Sequence, residues 1–184
     1  MLYGDVIKVP DGRYYVKATR DDASRVMVQL NDVTMSDDNT ITLPRDCPTI
    51  TEIDETNVRN AMEKSVEWFG KEVSEKTLKS LYVPSVVDGA VSVSKATIGK
   101  KVVTRYFDDK KNEIGEDDIP VGSKCDVVLE FAGVWFMKKS YGSIWRLAQV
   151  RRKSVRKPKY PTEYLFDDEG QDESFSDEDH DDYV

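Results

Sequence analysis

The residues of this chain that are best suited to bind a ligand lie in one run, GVWFMKKSYGSIWRLAQVRRK, over 133–153. The run combines four aromatic side chains with six lysines or arginines and contains no aspartate or glutamate. Cations bind phosphate groups, and each exposed aromatic ring can stack a base for about 1–3 kcal/mol with little regard to sequence. Basic and aromatic residues in alternation therefore favour a site for single-stranded nucleic acid.

The charge of the chain is divided between a basic body and an acidic end. The net charge of all 184 residues is −8, but residues 160–184 carry eleven Asp or Glu and no Lys or Arg. Residues 1–159 therefore hold 27 basic and 24 acidic side chains, a net charge of +3. Such asymmetry is typical of a chain with a polyanionic partner.

The hydrophobic pattern predicts a mainly β fold that is interrupted once by helices. Residues 1–43 and 85–152 read as strands, and 125–152 reads as a hairpin with a glycine in its loop. A capping box at 51–54 and apolar residues at helical spacing predict a helical insert over about 52–82. Within it, Gly70 is expected to end the first helix and Ser74 to cap a second, short one. This order favours an oligonucleotide-binding (OB) fold, a small β-barrel with a helical insert, over residues 1–153.

The residues after the predicted barrel differ from it in composition. Residues 154–166 contain two prolines, which predicts a linker or a strap lying on the domain. Residues 167–184 have almost no apolar content and are predicted to form a disordered acidic tail. Beside a basic groove such a tail can compete with DNA at an effective concentration approaching millimolar. Its last four residues are candidates for binding a partner protein: Asp181, Asp182, Tyr183 and Val184.

The chain offers little material for catalysis, metal binding or membrane insertion. Its single histidine, His180, lies in the acidic tail, so the predicted barrel has no Ser-His-Asp or Cys-His set. Cys47 and Cys125 lack CxxC spacing and are interpreted as reduced core thiols. We expect a protein without enzymatic activity, metal or cofactor. No run of 18 apolar residues and no secretory leader occur, which predicts an intracellular protein that does not span a membrane.

Strict strand alternation predicts how the aromatic residues of the basic run divide between two faces. It places one set of residues together on the first strand of the hairpin: Leu129, Phe131, Gly133, Trp135 and Met137. Phe136 then faces the opposite side. Tyr141, beside the hairpin tip, is the ring expected to be most exposed, whereas Trp135 and Trp145 are also candidates for the core.

Two segments, EWFGKEVSEKTLKSLYVPSV (67–86) and CDVVLEFAGVWFMKKSYGSIWRLAQVRR (125–152), resemble the single-stranded DNA-binding proteins of large eukaryotic DNA viruses. That family is related to the single-stranded DNA-binding protein of a podovirus-type phage. The features that match are a WFGK-like segment, a G-x-W strand, a YG-x-x-W-x-x-x-Q-V strand and the acidic tail. The tail departs from the phage and bacterial ones compared, because it ends in Tyr-Val where they end in Phe.

The resemblance implies an OB barrel that coats single-stranded DNA during viral replication, recombination or repair, in the host cytoplasm (the viral factory) or nucleus. The tail would contact replication proteins such as a DNA polymerase. Seven residues match the basic-aromatic hairpin of the family: Trp135, Lys138, Lys139, Tyr141, Trp145, Arg146 and Gln149. Five further cations complete the predicted nucleic-acid-binding set: Lys100, Lys101, Arg105, Arg151 and Arg152.

Other interpretations stay open. The basic run can be a solvated surface, and RRKSVRKPK over 151–159 is also typical of a nuclear-import signal. The chain can be a protein–protein adaptor whose acidic tail is the docking element, or an OB protein that binds RNA. A homodimer through exposed strand edges is a further expectation.

Overall fold

The computed structural model of the chain describes residues 1–9, 12–37 and 39–154. The residues from Met1 to Ser154 form one compact unit. The predicted acidic tail over 167–184 lies outside the described residues, as does all but the first residue of the linker predicted over 154–166.

The described part of the chain is mainly β, with one helical segment between early and late strands, as predicted. The helices are α1 (Pro48–Glu63), α2 (Ser65–Phe69) and α3 (Glu75–Leu81), and a 3-10 turn spans Glu116–Asp118. The strands are β1 (Leu2–Lys8), β2 (Tyr14–Thr19), β3 (Val26–Asp37), β4 (Thr40–Thr42), β5 (Tyr82–Val83), β6 (Val86–Val87), β7 (Ala90–Ser92), β8 (Ser94–Lys95), β9 (Thr97–Ile98), β10 (Lys101–Val102), β11 (Arg105–Phe107), β12 (Glu113–Ile114), β13 (Lys124–Met137) and β14 (Ser140–Arg152).

Five strand segments close into a small barrel. Strand β3 pairs antiparallel with both β4 and β13, and β4 pairs with β7. Strand β8, which follows β7 after one residue, pairs parallel with β14, and β14 returns to β13 as the second half of the hairpin. The closed ring β3–β4–β7/β8–β14–β13 confirms the OB-fold-like barrel, with the helices inserted between its second and third strands.

The helical segment begins four residues earlier than predicted. Pro48 stands in the first turn of α1, where its fixed φ and missing N–H cost nothing. Thr51, expected to cap the helix, lies inside it and donates its hydroxyl to the Cys47 carbonyl. The other two signals behave as expected, since Gly70 ends α2 in the left-handed conformation and the Ser74 hydroxyl accepts from the backbone N–H of Thr77 at the start of α3.

Beyond the barrel, the hairpin of β13 and β14 continues into a second sheet. Residues 133–136 of β13 pair with β2, which pairs with β1, and residues 141–142 of β14 pair with β5. We call this five-stranded arrangement, in the order β1–β2–β13–β14–β5, the platform sheet. The helices pack on one of its faces, which we call the inner face, and leave the outer face uncovered by them.

Two apolar layers hold the described residues together. The barrel interior is filled by side chains that are at most 7% exposed: Val28, Leu30, Val33, Ile41, Val91, Leu129, Phe131 and Leu147. A second layer lies between the helices and the inner face of the platform sheet, where Trp68 and Leu78 pack near Phe136 and Tyr141. Each fully buried side chain of this kind stabilises the fold by about 1.5–3 kcal/mol.

A polar network fixes α1 to the inner face of the platform sheet. The Asp54 carboxylate accepts hydrogen bonds from the hydroxyls of Tyr82 at 2.6 Å, Ser85 at 2.5 Å and Ser143 at 2.9 Å. The fully buried Asn57 amide donates to Tyr82 and Ser143, both at 3.0 Å. Burial raises the pKa of the Tyr82 hydroxyl well above its usual value, with a further contribution from the nearby Asp54 charge, so this group stays a neutral donor.

Candidate nucleic-acid interface

A bulge in β13 decides which aromatic residues of the basic run are exposed. The pairing of β13 with β14 shifts register between Phe131 and Gly133. Phe131 faces the barrel interior, but beyond the bulge it is Phe136 that faces inward, while Trp135 faces outward. The expectation that Phe131 and Trp135 share a face is therefore wrong, because one extra residue reverses the alternation.

Gly133 lets this bulge form. Its φ of +140° is rare for residues with a side chain, and a Cβ atom there would lie 1.8 Å from the carbonyl oxygen of Val16 in β2. Only glycine allows the β2 backbone to approach β13 this closely. The same glycine thus joins the barrel hairpin to the platform sheet.

Tyr141 lies on the inner face and is fully buried, so the expectation that it is the most exposed ring is wrong. Its ring is 5.1 Å from that of Tyr82, 5.4 Å from that of Phe69, and stacked on Phe136 at 6.1 Å. Burial raises the pKa of the Tyr141 hydroxyl to about 12, and the oxygen finds no hydrogen-bond partner among the described residues. The helices cover this part of the hairpin, which the residue pattern near the tip does not reveal.

Trp145 is likewise a core residue and cannot stack a base in this fold. Its side chain faces the barrel interior beside Phe131, with ring centroids 5.4 Å apart. Only 3% of the residue is exposed, and the indole N–H donates to the Ser85 hydroxyl at 2.8 Å. Of the two tryptophans in the basic run, only Trp135 reaches the surface.

The outer face of the platform sheet carries a row of residues in direct register, one from each strand. The row consists of Ile7, Tyr15, Trp135, Gly142 and Val83. Directly opposed residues share a face and lie about 4.5–5.5 Å apart at Cβ. Ile7 and Val83 are 42% and 40% exposed, and both aromatic rings are partly exposed. The row therefore presents two neighbouring rings with apolar side chains at each end.

Cations surround this row on the outer face and at the nearby hairpin turn. Lys17 is exposed and stands opposite Gly133, in the next row of the same face. Lys138 and Lys139 form the exposed turn that joins β13 to β14. None of these three ammonium groups lies in an ion pair with another described residue, so all three are available to phosphate groups.

At the opposite end of the hairpin the predicted cations lie on the outer surface of the barrel, but most have partners. Arg151 binds the Asp126 carboxylate at 2.5 Å, and the Arg152 guanidinium donates to the Asp118 carbonyl at 2.5 Å. Arg105 binds Glu113 through two hydrogen bonds, at 2.6 and 2.9 Å. Within the described ranges Arg146 makes no ion pair, and it is partly buried across from Glu130.

Hydrogen bonds shift the pKa values of charged groups at this end. Burial by itself would raise the pKa of the Asp126 carboxyl. Hydrogen bonds donated by Arg151, the Asp32 backbone and Lys153 outweigh this effect of burial, so the pKa is lowered. The hydrogen bonds between Arg105 and Glu113 raise the pKa of the guanidinium and lower that of the carboxyl. The pairs of Asp126 with Arg151 and Lys153 reduce the positive charge that the sequence indicates for the run over 133–153.

Lys100 and Lys101 lie elsewhere, at the turn of the small hairpin formed by β9 and β10. This hairpin leaves the barrel where the Ala96 backbone donates to the Leu147 carbonyl. Leu147 is nine positions along the chain from Lys138, which corresponds to about 30 Å of extended strand. The structure thus brings Trp135, Lys138 and Lys139 together and places Lys100 and Lys101 in a separate region.

Two residues of the platform sheet, Tyr15 and Lys17, were missed from the sequence, as was Phe107 on the outer surface of the barrel. The first two belong to the segment RYYVK over 13–17, in which basic and aromatic residues alternate. Because residues 15 and 17 share a face of β2, and residue 13 directly precedes the strand at the same spacing, that alternation is the same signal as in the hairpin. It lies about 120 positions away in sequence, and the pairing of β2 with β13 brings the two together.

The face with which OB barrels most often bind oligonucleotides has fewer suitable side chains in this chain. In OB folds the second and third strands, here β4 and β7, commonly bind oligonucleotides. Here Ile41 and Val91 are buried, and the exposed or partly exposed residues of both strands are Thr40, Thr42, Ala90 and Ser92. These four residues include neither a ring nor a cation, and Lys95 of the following β8 is paired with Glu116, so the platform sheet is the better candidate surface.

Other kinds of site find no support in the part of the chain that the structure describes. Across residues 1–9, 12–37 and 39–154, no three His, Cys, Asp or Glu residues are grouped as metal ligands. In the same residues, no helix has both the length and the apolar character needed to cross a membrane.

Comparison with known proteins gives a family and two structures. A family model described as "Family of unknown function (DUF5871)" matches residues 26–168. No curated protein matches the chain. Two solved structures resemble it. The first is "Single-stranded DNA-binding protein from bacteriophage Enc34, C-terminal truncation", with 12% identity and a TM-score of 0.42. The second is the same phage protein "in complex with ssDNA", with 13% identity and a TM-score of 0.40. Each likeness covers 85% of this chain, and 97% and 94% of the phage chains respectively. The resemblance to proteins of large eukaryotic DNA viruses stays a prediction.

Proposed function

We propose that this chain, which belongs to the DUF5871 family, binds single-stranded DNA on the outer face of its platform sheet. One observation carries the proposal: Trp135 and Tyr15 stand directly opposite each other on neighbouring strands, with partly exposed rings on a face flanked by Lys17, Lys138 and Lys139. In single-stranded nucleic acid the base faces are free to stack on such rings. In duplex DNA they are already stacked on each other, so a flat aromatic pair discriminates against the duplex.

The phosphates supply the second part of the binding free energy. Lys17 and the two turn lysines lie on either side of the aromatic pair, so a strand that stacks on the rings passes cations on both sides. Each phosphate neutralised on a single strand contributes about 0.7 to the slope of log K against log salt. Three such contacts predict a slope of about −2, which is shallow enough to leave stacking as a large share of the affinity.

The finer parts of the proposal come from the sequence. The chain coats single-stranded DNA without strong sequence preference during viral replication, recombination or repair, inside the host cell. Its acidic tail over 167–184 competes with DNA and recruits replication proteins such as a DNA polymerase, and exposed strand edges support a homodimer. We also propose that it has no enzymatic activity.

The experiment that tests the proposal compares two adjacent tyrosines. Tyr15 lies in the outer row, whereas Tyr14 lies on the opposite side of β2, is 41% exposed and has the Lys8 ammonium 5.7 Å from its ring centroid. Labelled oligo-dT, oligo-rU and duplex DNA would be titrated with Tyr15→Ala, Trp135→Ala and the control Tyr14→Ala. Losing one stacked base costs about 1–3 kcal/mol, so the two outer variants should bind oligo-dT more weakly while Tyr14→Ala binds normally.

The same titrations separate the alternatives. Equal affinity for duplex and single strand would remove the stacking role of the rings. Tighter binding of oligo-rU than of oligo-dT would make the chain an RNA-binding protein. If no oligonucleotide binds at low salt, the proposal fails, and the alternative that it leaves is a protein–protein adaptor with the acidic tail as its docking element.

A further inference from the structure

A pocket of about 290 Å³ lies on the outer surface of the barrel, at the end of the hairpin away from the platform sheet. Its walls are formed by side chains from β3, β11, β13 and β14 and from the loop after β11. The residues that matter for its chemistry are Gln29, Phe107, Lys111, Val128, Gln149 and Arg151. Ligand pockets in proteins range from about 300 to 1,000 Å³, so this one suits a single small planar group.

We propose that this pocket holds one unstacked base of the bound strand and gives the chain a preference among bases. The inference rests on the proposed function and deepens it, because it adds a base-reading position to a surface that otherwise binds without regard to sequence. Three observations support it: a ring packed against a guanidinium, two amides on opposite sides, and a neutralised carboxylate.

The ring is that of Phe107, which is partly exposed at the edge of the pocket. The Arg105 guanidinium lies 5.2 Å from its centroid, and Arg105 is fixed in turn by its two hydrogen bonds to Glu113. A ring held in this way offers its remaining surface to a base, and stacking on aromatic side chains is how single-stranded bases are commonly held.

The amides belong to Gln29 and Gln149, which flank Val128 in direct register on its two neighbouring strands. Adjacent strands lie about 4.8 Å apart, so the two side chains start about 10 Å from each other across the floor made by Val128. The Gln29 amide N–H donates to Asn31 at 3.0 Å, which orients its carbonyl oxygen as an acceptor. Gln149 is exposed, and no hydrogen bond of its side chain to the described residues is found. Amides read base edges because they both donate and accept.

The charge in the pocket does not repel a nucleotide. Asp126 lies in its wall, but its carboxylate is bound by Arg151 at 2.5 Å and by Lys153 at 3.1 Å. Lys111 stands exposed at the rim, with no ion pair inside the described ranges, and can meet the phosphate of the inserted base.

One strand can reach both the platform sheet and the pocket. Val128 is seven positions from Trp135 along β13, or about 23 Å of strand. OB folds contact about 4–16 nucleotides, which is enough for both regions. Arg146, which faces outward between them, lies on the path that joins the rings to the pocket.

The test measures affinities for oligo-dA, oligo-dC and oligo-dT of equal length with the full chain. Discrimination through amide contacts is about 1–3 kcal/mol, so the best homopolymer should bind roughly 5- to 150-fold more tightly than the worst. Phe107→Leu, which keeps an apolar side chain without a ring, should weaken the best homopolymer over a similar range. Gln149→Leu should bring the three affinities together, and the control Thr42→Val on β4 should change nothing. Melting curves would show that each variant folds.

Each outcome decides the matter. Two outcomes overturn the base pocket: equal affinity for the three homopolymers, or a preference that persists in both pocket variants. If Trp135→Ala still weakens binding in these cases, the proposed function stands. Binding of free mononucleotides as tightly as oligonucleotides also overturns it, since the pocket would then serve soluble nucleotides. If no oligonucleotide binds at all, the base pocket and the proposed function fail together.

Discussion

The indole ring of Trp135 lies over Gly142 on the neighbouring strand. A Cβ atom at Gly142 would be 3.0 Å from Cζ2 of the indole and 3.0 Å from the Val83 carbonyl oxygen. The absence of a side chain at Gly142 thus leaves room for the indole ring above that position of the platform sheet, and Tyr15 stands opposite Trp135 on the other neighbouring strand. A ring supported in this way is a surface on which a base can stack.

Gly142→Ala should therefore lower both stability and affinity for single-stranded DNA. The added methyl has to displace the indole, because the carbonyl beside it belongs to the backbone, and overpacking of this kind costs about 1–3 kcal/mol. Thermal unfolding and oligo-dT titration of Gly142→Ala, Trp135→Ala and the double variant would check this. The double variant should be destabilised by less than the sum of the two single changes. Strict additivity would mean that the two residues do not interact as described.

Tyr141 gives a test of the burial that distinguishes the two faces. Its hydroxyl is buried without a partner among the described residues, and an unsatisfied buried polar group costs about 1–3 kcal/mol. Tyr141→Phe should hence be neutral or stabilising, whereas Tyr141→Ala should cost about 3–5 kcal/mol, as large aromatic truncations in cores do. Chemical denaturation measures both. In oligonucleotide titrations, folded Tyr141→Phe should bind like the unchanged chain, and a clear loss of affinity would place the hydroxyl in the binding surface.

The Asp126 carboxylate predicts a pH dependence of stability. Its pKa is lower in the folded chain than the ordinary value of 3.8, because donors that include Arg151 and Lys153 outweigh the effect of burial. The stabilisation of the folded state by the ionised Asp126 carboxylate is therefore fully present above the unfolded-state pKa. It is lost as pH falls through the lower, folded-state pKa. The melting temperature of the unchanged chain should decrease once the pH is lowered below about 4.

Asp126→Asn is the matched variant for this prediction. It should be less stable than the unchanged chain at pH 7, since Arg151 and Lys153 lose their counter-charge. The difference between the two should shrink as the pH is lowered, because protonation removes the same charge from the unchanged chain. A difference that stays constant from pH 7 to acid would assign the effect to packing instead.

Deleting residues 167–184 tests the acidic tail, which lies outside the described residues. The deletion removes ten carboxylates, and a tethered polyanion competes with DNA for cations. Affinity for oligo-dT should rise, most clearly at low salt, where screening is weakest. Removing Tyr183 and Val184 alone should leave this competition intact, because it is electrostatic. Unchanged affinity at low salt after the full deletion would restrict the tail to solubility or docking.

Much of this protein could be read from its sequence. The β-branched segments, Gly70 and Ser74 predicted a mainly β chain with a helical insert, because these signals depend on residues near each other in sequence. The tip lysines, Lys138 and Lys139, were also placed correctly, since a hairpin turn is specified locally. Chemical type was enough to select Trp135 as a candidate.

Only the tertiary structure decided which rings and cations face the solvent. A one-residue bulge at Gly133 reverses the alternation of β13, so Trp135 turns outward and Phe136 inward, and helices from a separate segment bury Tyr141. Ion pairs with residues distant in sequence, such as that of Arg151 with Asp126, neutralise cations that would be taken as free from the composition alone. The sequence by itself determined the residue types and the local elements. Exposure, register and charge pairing depend on contacts between residues as far apart as Tyr15 and Trp135, which form only when the chain folds.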